Sequence, residues 1–461
     1  MSEALLREIA DYCRAAGIAE STFGRLAVND GKLVGRMRQG GRVTTETADR
    51  LRAFIVANRQ PARAVPVNGR AAAAAVSPVL LPTQSADDGQ NFRFYDNRQK
   101  YLLFVTTCSE KWVVAQRIGQ ELTNLHPRPP AVRVFDAGTG DGSVLARTMR
   151  AMHTRFPTMP FYIVGKEISL EDVRLALEKM PDRLFEHPAT VLVVTNMYYS
   201  EAPWLTPASV SAATSLVWHE LPLVGGTAHD FEVQIAELQP FLAEHWRVRE
   251  GKGGTLAYEK PVVLVIYRDD HKFLLDQVRP RRGFAHADFD LVIASQPYRA
   301  RAAVEFKVRR VVAPLARALA PGGRLIAIHS HGNDPGIEVI QRIWPGENPF
   351  TTDRHGLLRA AKAALGSAGR SLNFGAHSDA RSLFRYDMHT LPSEIGDKIG
   401  TSTLFAAWNA AVYVAQIEDQ RLSEAIASGV YLDATREVLR RHGGLWFWDE
   451  SYVISRKRDA R

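Results

Sequence analysis

Two hydrophobic patterns alternate along most of this chain. Short, almost continuous apolar runs are typical of parallel strands that are buried on both faces, and they occur at 132–135, 161–164, 190–194, 289–294 and 325–328. Segments with helical spacing of their apolar residues separate these runs, for example Ser143–Met149 and Leu170–Met180. The alternation predicts an α/β fold built around a parallel sheet.

The first strand ends in a glycine-rich turn that leads into a helix. Glycines at alternate positions allow a sharp bend and let a ligand approach where a Cβ would clash. The following helix presents free N–H groups and the positive end of its dipole. A dinucleotide fold needs G-x-G-x-x-G and a P-loop needs a lysine, and neither pattern is present here. The turn consists of Asp136, Ala137, Gly138, Thr139, Gly140, Asp141 and Gly142.

This D-x-G-x-G-x-G turn resembles the first motif of class I S-adenosylmethionine (SAM)-dependent methyltransferases. The segments Phe289–Ile293 and Leu319–Ile326 closely resemble the fourth and fifth strands of the same family. The resemblance implies a doubly wound α/β fold over residues 92–461. Its sheet would have seven strands and be mostly parallel, with an antiparallel last strand near 445–455. It also implies an enzyme that uses SAM as its methyl donor.

The resemblance assigns cofactor-binding roles to residues that follow the first three strands. Asp136, Gly138, Thr139, Gly140, Asp141 and Gly142 would hold the methionine end of SAM. Glu167, beside Ile168, ends the second strand, where a carboxylate accepts hydrogen bonds from ribose hydroxyls. Asn196 and Met197 would line the adenine. The alternative for Glu167 is a surface glutamate next to the start of a helix. The alternative for Asn196 is an ordinary asparagine in a turn.

Catalytic candidates follow the fourth and fifth strands. Amino-methyltransferases carry Asp/Asn/Ser-Pro-Pro-Tyr/Phe where this chain has Ser295-Gln296-Pro297-Tyr298, so Gln296 departs from that motif. Ser295 and Tyr298 would orient the acceptor, or Ser295 would simply line the cofactor pocket. His329 is a candidate base because a histidine titrates near neutral pH. Tyr95 and Tyr101 are expected in a helical cover over the cofactor.

Residues 1–60 are predicted to form a separate, small all-α domain. The segments 19–27 and 32–40 are similar to the helix-turn-helix of phage repressors. Lys32, Arg36 and Arg38 would then face DNA. The alternative is a helical bundle for docking or for homodimer formation. An Ala- and Pro-rich linker is predicted at 61–91, and an insertion at about 200–286 carries its own secondary structure.

Composition narrows the function classes. The 461 residues carry a net charge of +8 and include two cysteines, a usage typical of a reducing cytoplasm. No apolar run is long enough to span a membrane, and no metal-ligand spacing is evident. The sequence therefore predicts a cytoplasmic SAM-dependent methyltransferase with an unidentified acceptor: a small molecule, a protein or a nucleobase. The alternative is a SAM-sensing, DNA-binding transcriptional regulator.

Overall fold

The computed structural model describes residues 2–16, 20–28, 30–38, 43–57, 98–250, 256–396 and 398–458. These residues belong to two compact units, one on each side of Asp87. The predicted linker at 61–91 and the predicted cover residue Tyr95 lie outside the described residues.

The first unit consists of short helices around an apolar core. Leu33, Val34 and Met37 are buried, together with Phe23 and Leu51. The third helix carries Arg36 and Arg38 exposed, and Lys32 is exposed in the turn before it. The helices are α1 (Ser2–Ala16), α2 (Glu20–Val28), α3 (Leu33–Arg38) and α4 (Thr45–Ala57).

The second unit contains the sheet and the helices that cover its two faces. The strands are β1 (Val132–Asp136), β2 (Phe161–Lys166), β3 (Thr190–Thr195), β4 (Val217–Leu223), β5 (Val248–Glu250), β6 (Leu256–Tyr258), β7 (Val262–Arg268), β8 (Phe289–Ser295), β9 (Leu319–Ser330), β10 (Leu372–Gly375), β11 (Leu383–Asp387) and β12 (Trp446–Arg456). The helices are α5 (Arg98–Thr107), α6 (Glu110–Leu122), α7 (Ser143–Arg155), α8 (Leu170–Glu178), α9 (Pro181–Glu186), α10 (Val210–Thr214), α11 (Ala228–Ala236), α12 (Gln239–His245), α13 (Lys272–Leu275), α14 (Val304–Lys307), α15 (Ala313–Arg317), α16 (Pro335–Ile343), α17 (Arg354–Leu365), α18 (Asp379–Ser382), α19 (Thr401–Val414), α20 (Asp419–Ser428) and α21 (Val430–His442).

The main sheet has the strand order β10-β12-β9-β8-β1-β2-β3-β7-β4, with β11 paired to β12. β1 lies between β2 and β8 and is parallel to both. The chain moves from β1 to β3 on one side and then crosses to β8 and β9 on the other. Adjacent strands whose connections leave in opposite directions open a crevice at their carboxyl ends, and ligands bind there in open α/β sheets.

The sheet has ten strands among the described residues, not the predicted seven. The insertion supplies two extra strands, because β7 pairs antiparallel with β3 and β4 pairs parallel with β7. The tenth strand comes from the segment after β9, where β10 and β11 both pair with the antiparallel strand β12. The predicted parallel centre and antiparallel last strand are both present.

The side chain of Asn196 adds a connection between the end of β3 and the start of β7 in the insertion. Asn196, directly after β3, donates from Nδ2 to the carbonyl of Lys260 at 2.9 Å. Its Oδ1 accepts from the N–H of Val262, the first residue of β7, at 2.8 Å. Asn196 is fully buried, so water does not replace its side chain as the hydrogen-bond partner of these two backbone groups. The side chain therefore fixes where β7 begins beside β3.

We predict that Asn196→Ala lowers the free energy of unfolding by about 2 kcal/mol or more, because two buried backbone groups lose their partner. Denaturant titration measures the change. Asn373→Ala on the exposed face of β10 is the control, and its effect should stay within about 0.5 kcal/mol. Equal effects of the two substitutions would contradict the bridging role of Asn196.

Candidate functional site

A cavity of about 290 Å³ lies at the carboxyl ends of β1, β2, β8 and β9. The strand ends supply one wall and α5, α6 and α19 supply the cover. Among the predicted site residues, the cavity is lined by Gly138, Gly140, Glu167, Ile168, Ser295 and Tyr298. The predicted cover residue Tyr101 also lines it.

The three glycines of the turn differ in what surrounds them. A Cβ on Gly142 would lie 2.7 Å from the Cα of Ala176, so this glycine allows α8 to pack against the turn. Gly140 has a φ of +53°, and a Cβ there would lie 3.1 Å from the Tyr101 hydroxyl. A Cβ on Gly138 would meet nothing within 4 Å. Gly138 is therefore the position where the backbone itself forms the cavity wall.

Glu167 ties the turn to the end of β2. Its Oε2 accepts from the N–H of Gly140 at 2.8 Å. Its Oε1 accepts from the N–H groups of Ile168 at 2.7 Å and Ser169 at 2.9 Å. The indole of Trp246, from the insertion, donates to the Glu167 carbonyl at 3.1 Å. The carboxylate is thus fixed at the cavity edge by backbone donors.

Asp136 is a buried acid beneath the turn. Burial raises the pKa of its carboxyl to about 7, and the N–H of Gly138, 3.5 Å from Oδ1, opposes that shift only in part. Oδ2 has no hydrogen-bond partner among the residues that the structure describes. Asp136 is not part of the cavity lining. Buried polar atoms are normally paired, so its unpaired oxygen is a candidate acceptor for a ligand donor.

Thr139 and Asp141 support the turn from behind. The Tyr101 hydroxyl donates to Asp141 Oδ1 at 3.2 Å, and Lys179 Nζ lies 3.4 Å from Oδ2. Burial alone would raise the pKa of Asp141, but Lys111, the Ser143 hydroxyl and Lys179 lower it below its ordinary value. Thr139 is buried against Gly165, where a Cβ would lie 2.6 Å from the threonine hydroxyl. Neither side chain is part of the cavity lining.

The structure does not bring Asn196, Met197 or His329 to the cavity lining. The side-chain amide of Asn196 forms hydrogen bonds with the backbone at the start of β7, and Met197 is fully buried in the core. Successive side chains of a strand point to opposite faces of the sheet. Ser330 lines the cavity, so the preceding residue His329 points to the other face. Its Nε2 lies 3.1 Å from Glu450 Oε1 instead. The roles of these three residues toward a cofactor or acceptor stay predictions from the sequence.

The segment after β8 forms the other wall. Gln296 has a φ of +47°, an uncommon conformation for a residue with a side chain. Its Nε2 lies 3.2 Å from both Ser330 Oγ and Asp449 Oδ1, which fixes the turn. The Tyr298 hydroxyl lies 3.4 Å from that of Tyr452. Burial raises the pKa of Tyr298 well above its ordinary value, so this hydroxyl stays protonated.

The cover contributes charged residues that the sequence did not reveal. Lys111, on the first turn of α6, lies with Nζ 3.2 Å from Glu110 Oε2 and 5.6 Å from the centre of the Tyr101 ring. Burial lowers the pKa of Lys111, but Glu110, Tyr413 and Asp141 together outweigh this effect and raise it, so Lys111 is a cation. The chain breaks between α5 and α6 at Cys108 and Ser109, and the Glu110 and Lys111 side chains that follow the break line the cavity.

The residues present fit SAM. Its ammonium and sulfonium groups need an acidic surrounding, its carboxylate needs a cation and its ribose needs a hydrogen-bond acceptor. Lys111 and Glu167 line the cavity and would supply the cation and the acceptor, and Gly138 leaves room for close approach. Asp136, directly before the turn, would supply the acid through its unpaired Oδ2. Among the described residues no group of three His, Cys, Asp or Glu side chains is placed to hold a metal, and none of the helices is long and apolar enough to cross a membrane.

Comparisons with known proteins give weak similarities. No family model and no curated protein matches the chain. A geranyl diphosphate methyltransferase solved with GPP and sinefungin is similar at 12% identity over 74% of this chain and 77% of that chain, with a TM-score of 0.26. A putative sarcosine dimethylglycine methyltransferase from Galdieria sulphuraria is similar at 9% identity over 78% and 86%, with a TM-score of 0.28. TM-scores this far below 0.5 carry no argument, so the function must be inferred from the site itself.

We predict how the free energy of unfolding of Asp136→Asn, minus that of the original chain, depends on pH. This difference should be about 2–3 kcal/mol larger at pH 8 than at pH 5. The folded state raises the Asp136 pKa from 3.8 to about 7, so the original chain loses stability as pH rises through this interval. Asparagine removes that loss, because it carries no proton to release. Denaturant titration at both pH values measures the difference. Asp433→Asn, at an exposed acid, is the control, and a pH-independent difference for Asp136→Asn would contradict the buried-acid interpretation.

Proposed function

We propose that this chain is a SAM-dependent methyltransferase that binds SAM at the carboxyl ends of β1 and β2 and an acceptor beside the end of β8. One observation carries the proposal. The Gly138 backbone and the Glu167 carboxylate line one cavity at the point where strand connections diverge, and Asp136, at the end of β1 directly before the turn, has an unpaired Oδ2. In this proposal Lys111 binds the carboxylate end of SAM, Asp136 the amine and Glu167 the ribose.

When bound, SAM supplies a methyl group on a positively charged sulfur. The residues of this chain then have mainly a positioning task, because aligning two reactants is worth several kcal/mol. Ser295 and Tyr298 lie at the same cavity and are proposed to orient the acceptor. The cover formed by Tyr101, Phe104 and Tyr413 keeps water from the reacting atoms.

Gly138→Val is expected to lower SAM affinity at least 100-fold, a change of about 2.8 kcal/mol, because the branched side chain fills the cavity. Gly138 has no positive φ and its Cβ position is open, so the variant should fold normally. Isothermal titration calorimetry with the full chain measures affinity, and tritiated methyl transfer to metabolite, protein and DNA fractions measures activity.

The matched control is Gly226→Val, an exposed glycine whose Cβ also meets nothing within 4 Å. It should bind SAM like the original chain. Unchanged affinity of the Gly138 variant would place the cofactor elsewhere. If SAM binds normally but no fraction accepts a methyl group, the SAM-sensing regulator becomes the better interpretation.

For the first unit we propose a helix-turn-helix role with contact to DNA through α3. The exposed face of α3 and the turn before it carries Lys32, Arg36 and Arg38, while Leu33, Val34 and Met37 form the core. Arg36 is paired with Asp30 and Arg38 with Glu20, so phosphates must compete with these acids. This pairing favours weak binding. The homodimer and the cytoplasmic location stay predictions from the sequence.

The full chain is expected to bind duplex DNA weakly, with an affinity that falls as salt concentration rises. Replacing Lys32, Arg36 and Arg38 together by alanine should weaken binding and reduce the salt dependence, since fewer counterions are released. Fluorescence anisotropy with a labelled duplex measures both. Arg14→Ala, at an exposed arginine of α1, is the control. Identical binding by the triple variant and the original chain would contradict the DNA-contact proposal.

A further inference from the structure

Positively charged side chains surround the segment that follows β8. Lys166, the last residue of β2, lines the cavity, and its Nζ lies 5.1 Å from the centre of the Tyr199 ring. The Tyr199 hydroxyl donates to the Pro297 carbonyl at 3.3 Å, so this one tyrosine contacts both Lys166 and the segment. Arg299, in the same segment, also lines the cavity. These two cations therefore border the space between the ends of β2 and β8.

A third cation lies behind Tyr298. Lys307, on α14, is 1% exposed, and its Nζ lies 5.3 Å from the centre of the Tyr298 ring. The same Nζ donates to the Ala300 carbonyl at 2.7 Å. Lys307 also lines a small cavity of about 10 Å³ that shares Tyr298 with the main cavity. Its charge therefore adds to that of Arg299 at this segment.

These three cations lack acidic partners. No carboxylate lies within ion-pair distance of them in the described part of the chain. Burial lowers the pKa of both lysines, that of Lys307 to about 8, and the Glu167 charge opposes the shift at Lys166 only in part. Removing a charge from water costs free energy unless a partner of opposite charge accompanies it. An anion bound beside Lys166 and Arg299 supplies that partner.

The acids near the cavity do not balance these cations. Glu110 is paired with Lys111, whose Nζ lies 3.2 Å from Oε2, and Glu167 accepts three backbone N–H groups. Burial, reinforced by the Glu167 charge, raises the pKa of Asp172 to about 7, so this acid is partly protonated at neutral pH. Burial raises the pKa of Asp449 well above its ordinary value and keeps it protonated. SAM itself carries a net positive charge, so its binding increases the excess of positive charge.

Aromatic rings form much of the remaining lining. Tyr413 has its ring centre 4.8 Å from that of Phe104 and 5.9 Å from that of Tyr101, and all three line the cavity. Such rings offer a large apolar contact area to a flat organic molecule. Binding pockets usually combine an apolar lining with a few polar groups that fix the orientation of the ligand. The cavity therefore suits an acceptor with an apolar body and one charged group.

We propose that the methyl acceptor is a small organic acid with a flat apolar body, whose carboxylate or phosphate group binds at Lys166 and Arg299. This inference rests on the proposed function and specifies its substrate class. A guanidinium binds either group through two parallel hydrogen bonds, and an ammonium binds it as a point charge. Lys307 strengthens the attraction from behind Tyr298. An ammonium group on the acceptor would be repelled by the same three cations.

The test compares three probes of similar size by calorimetry, on the full chain in the presence of S-adenosylhomocysteine: benzoate, phenyl phosphate and the neutral benzamide. We expect the better of the two anions to bind about tenfold or more tightly than benzamide, because charge-assisted hydrogen bonds are stronger than neutral ones. Which anion binds more tightly distinguishes a carboxylate acceptor from a phosphate acceptor.

Two variants remove one charge each and keep an apolar chain in its place. Arg299→Met and Lys166→Met should each reduce the preference for the anion to about threefold or less. The matched control is Arg317→Met, at an exposed arginine outside the cavity lining, which should leave the preference unchanged. Thermal unfolding of each variant shows that it is folded before it is titrated. Equal binding of the anions and benzamide would overturn the inference, and so would a preference that persists in either folded variant.

Titration with S-adenosylhomocysteine alone separates this inference from the proposed function. Its affinity should change by less than about twofold in Arg299→Met. A loss as large as that of the anion would assign these cations to the carboxylate of the cofactor and overturn the inference. If the compound fails to bind the original chain while the anion preference holds, the methyltransferase proposal fails. If it binds and the preference is missing, only the acid assignment fails.

Discussion

The site depends on one carboxylate. Glu167 accepts three backbone N–H groups, and one of them, from Gly140, belongs to the turn after the neighbouring strand. Charge-assisted hydrogen bonds of this kind are stronger than neutral ones. They fix the distance between the ends of β1 and β2, which sets the width of the cavity. Trp246 supports the same residue from behind, so the insertion stabilises the site without lining it.

The second constraint is the concentration of acids at the carboxyl edge of the sheet. Asp136 and Asp449 are buried with one oxygen each unpaired among the described residues, and burial raises the pKa of both. Keeping such groups inside a protein is costly unless a cation accompanies them. SAM carries a positive sulfur and an amine, so in the proposed function its binding near Asp136 stabilises the folded chain.

The sequence predicted those strands and turns whose formation depends on residues close together in the chain. The glycine spacing predicted the turn from Asp136 to Gly142, and the apolar runs predicted where β1, β2, β3, β8 and β9 lie along the chain. The hydrogen bonds of Asn196 could not be predicted, because its partners, Lys260 and Val262, come from an insertion whose pairing with β3 is not evident from the nearby sequence. Glu110 and Lys111 were missed because the break before α6 depends on Ser109, whose N–H donates to the distant carbonyl of Asp387 at 2.9 Å. The extra strands are likewise a product of long-range pairing.

We propose that SAM occupies the cavity between Gly138 and Glu167. A crystal structure of the full chain grown with S-adenosylhomocysteine tests this placement. We expect density for the ligand against the Gly138 backbone, with ribose hydroxyls on the Glu167 carboxylate and the amine near Asp136 Oδ2. Clear density for the ligand at another surface, or a cavity filled by the chain's own side chains at saturating ligand, would contradict it.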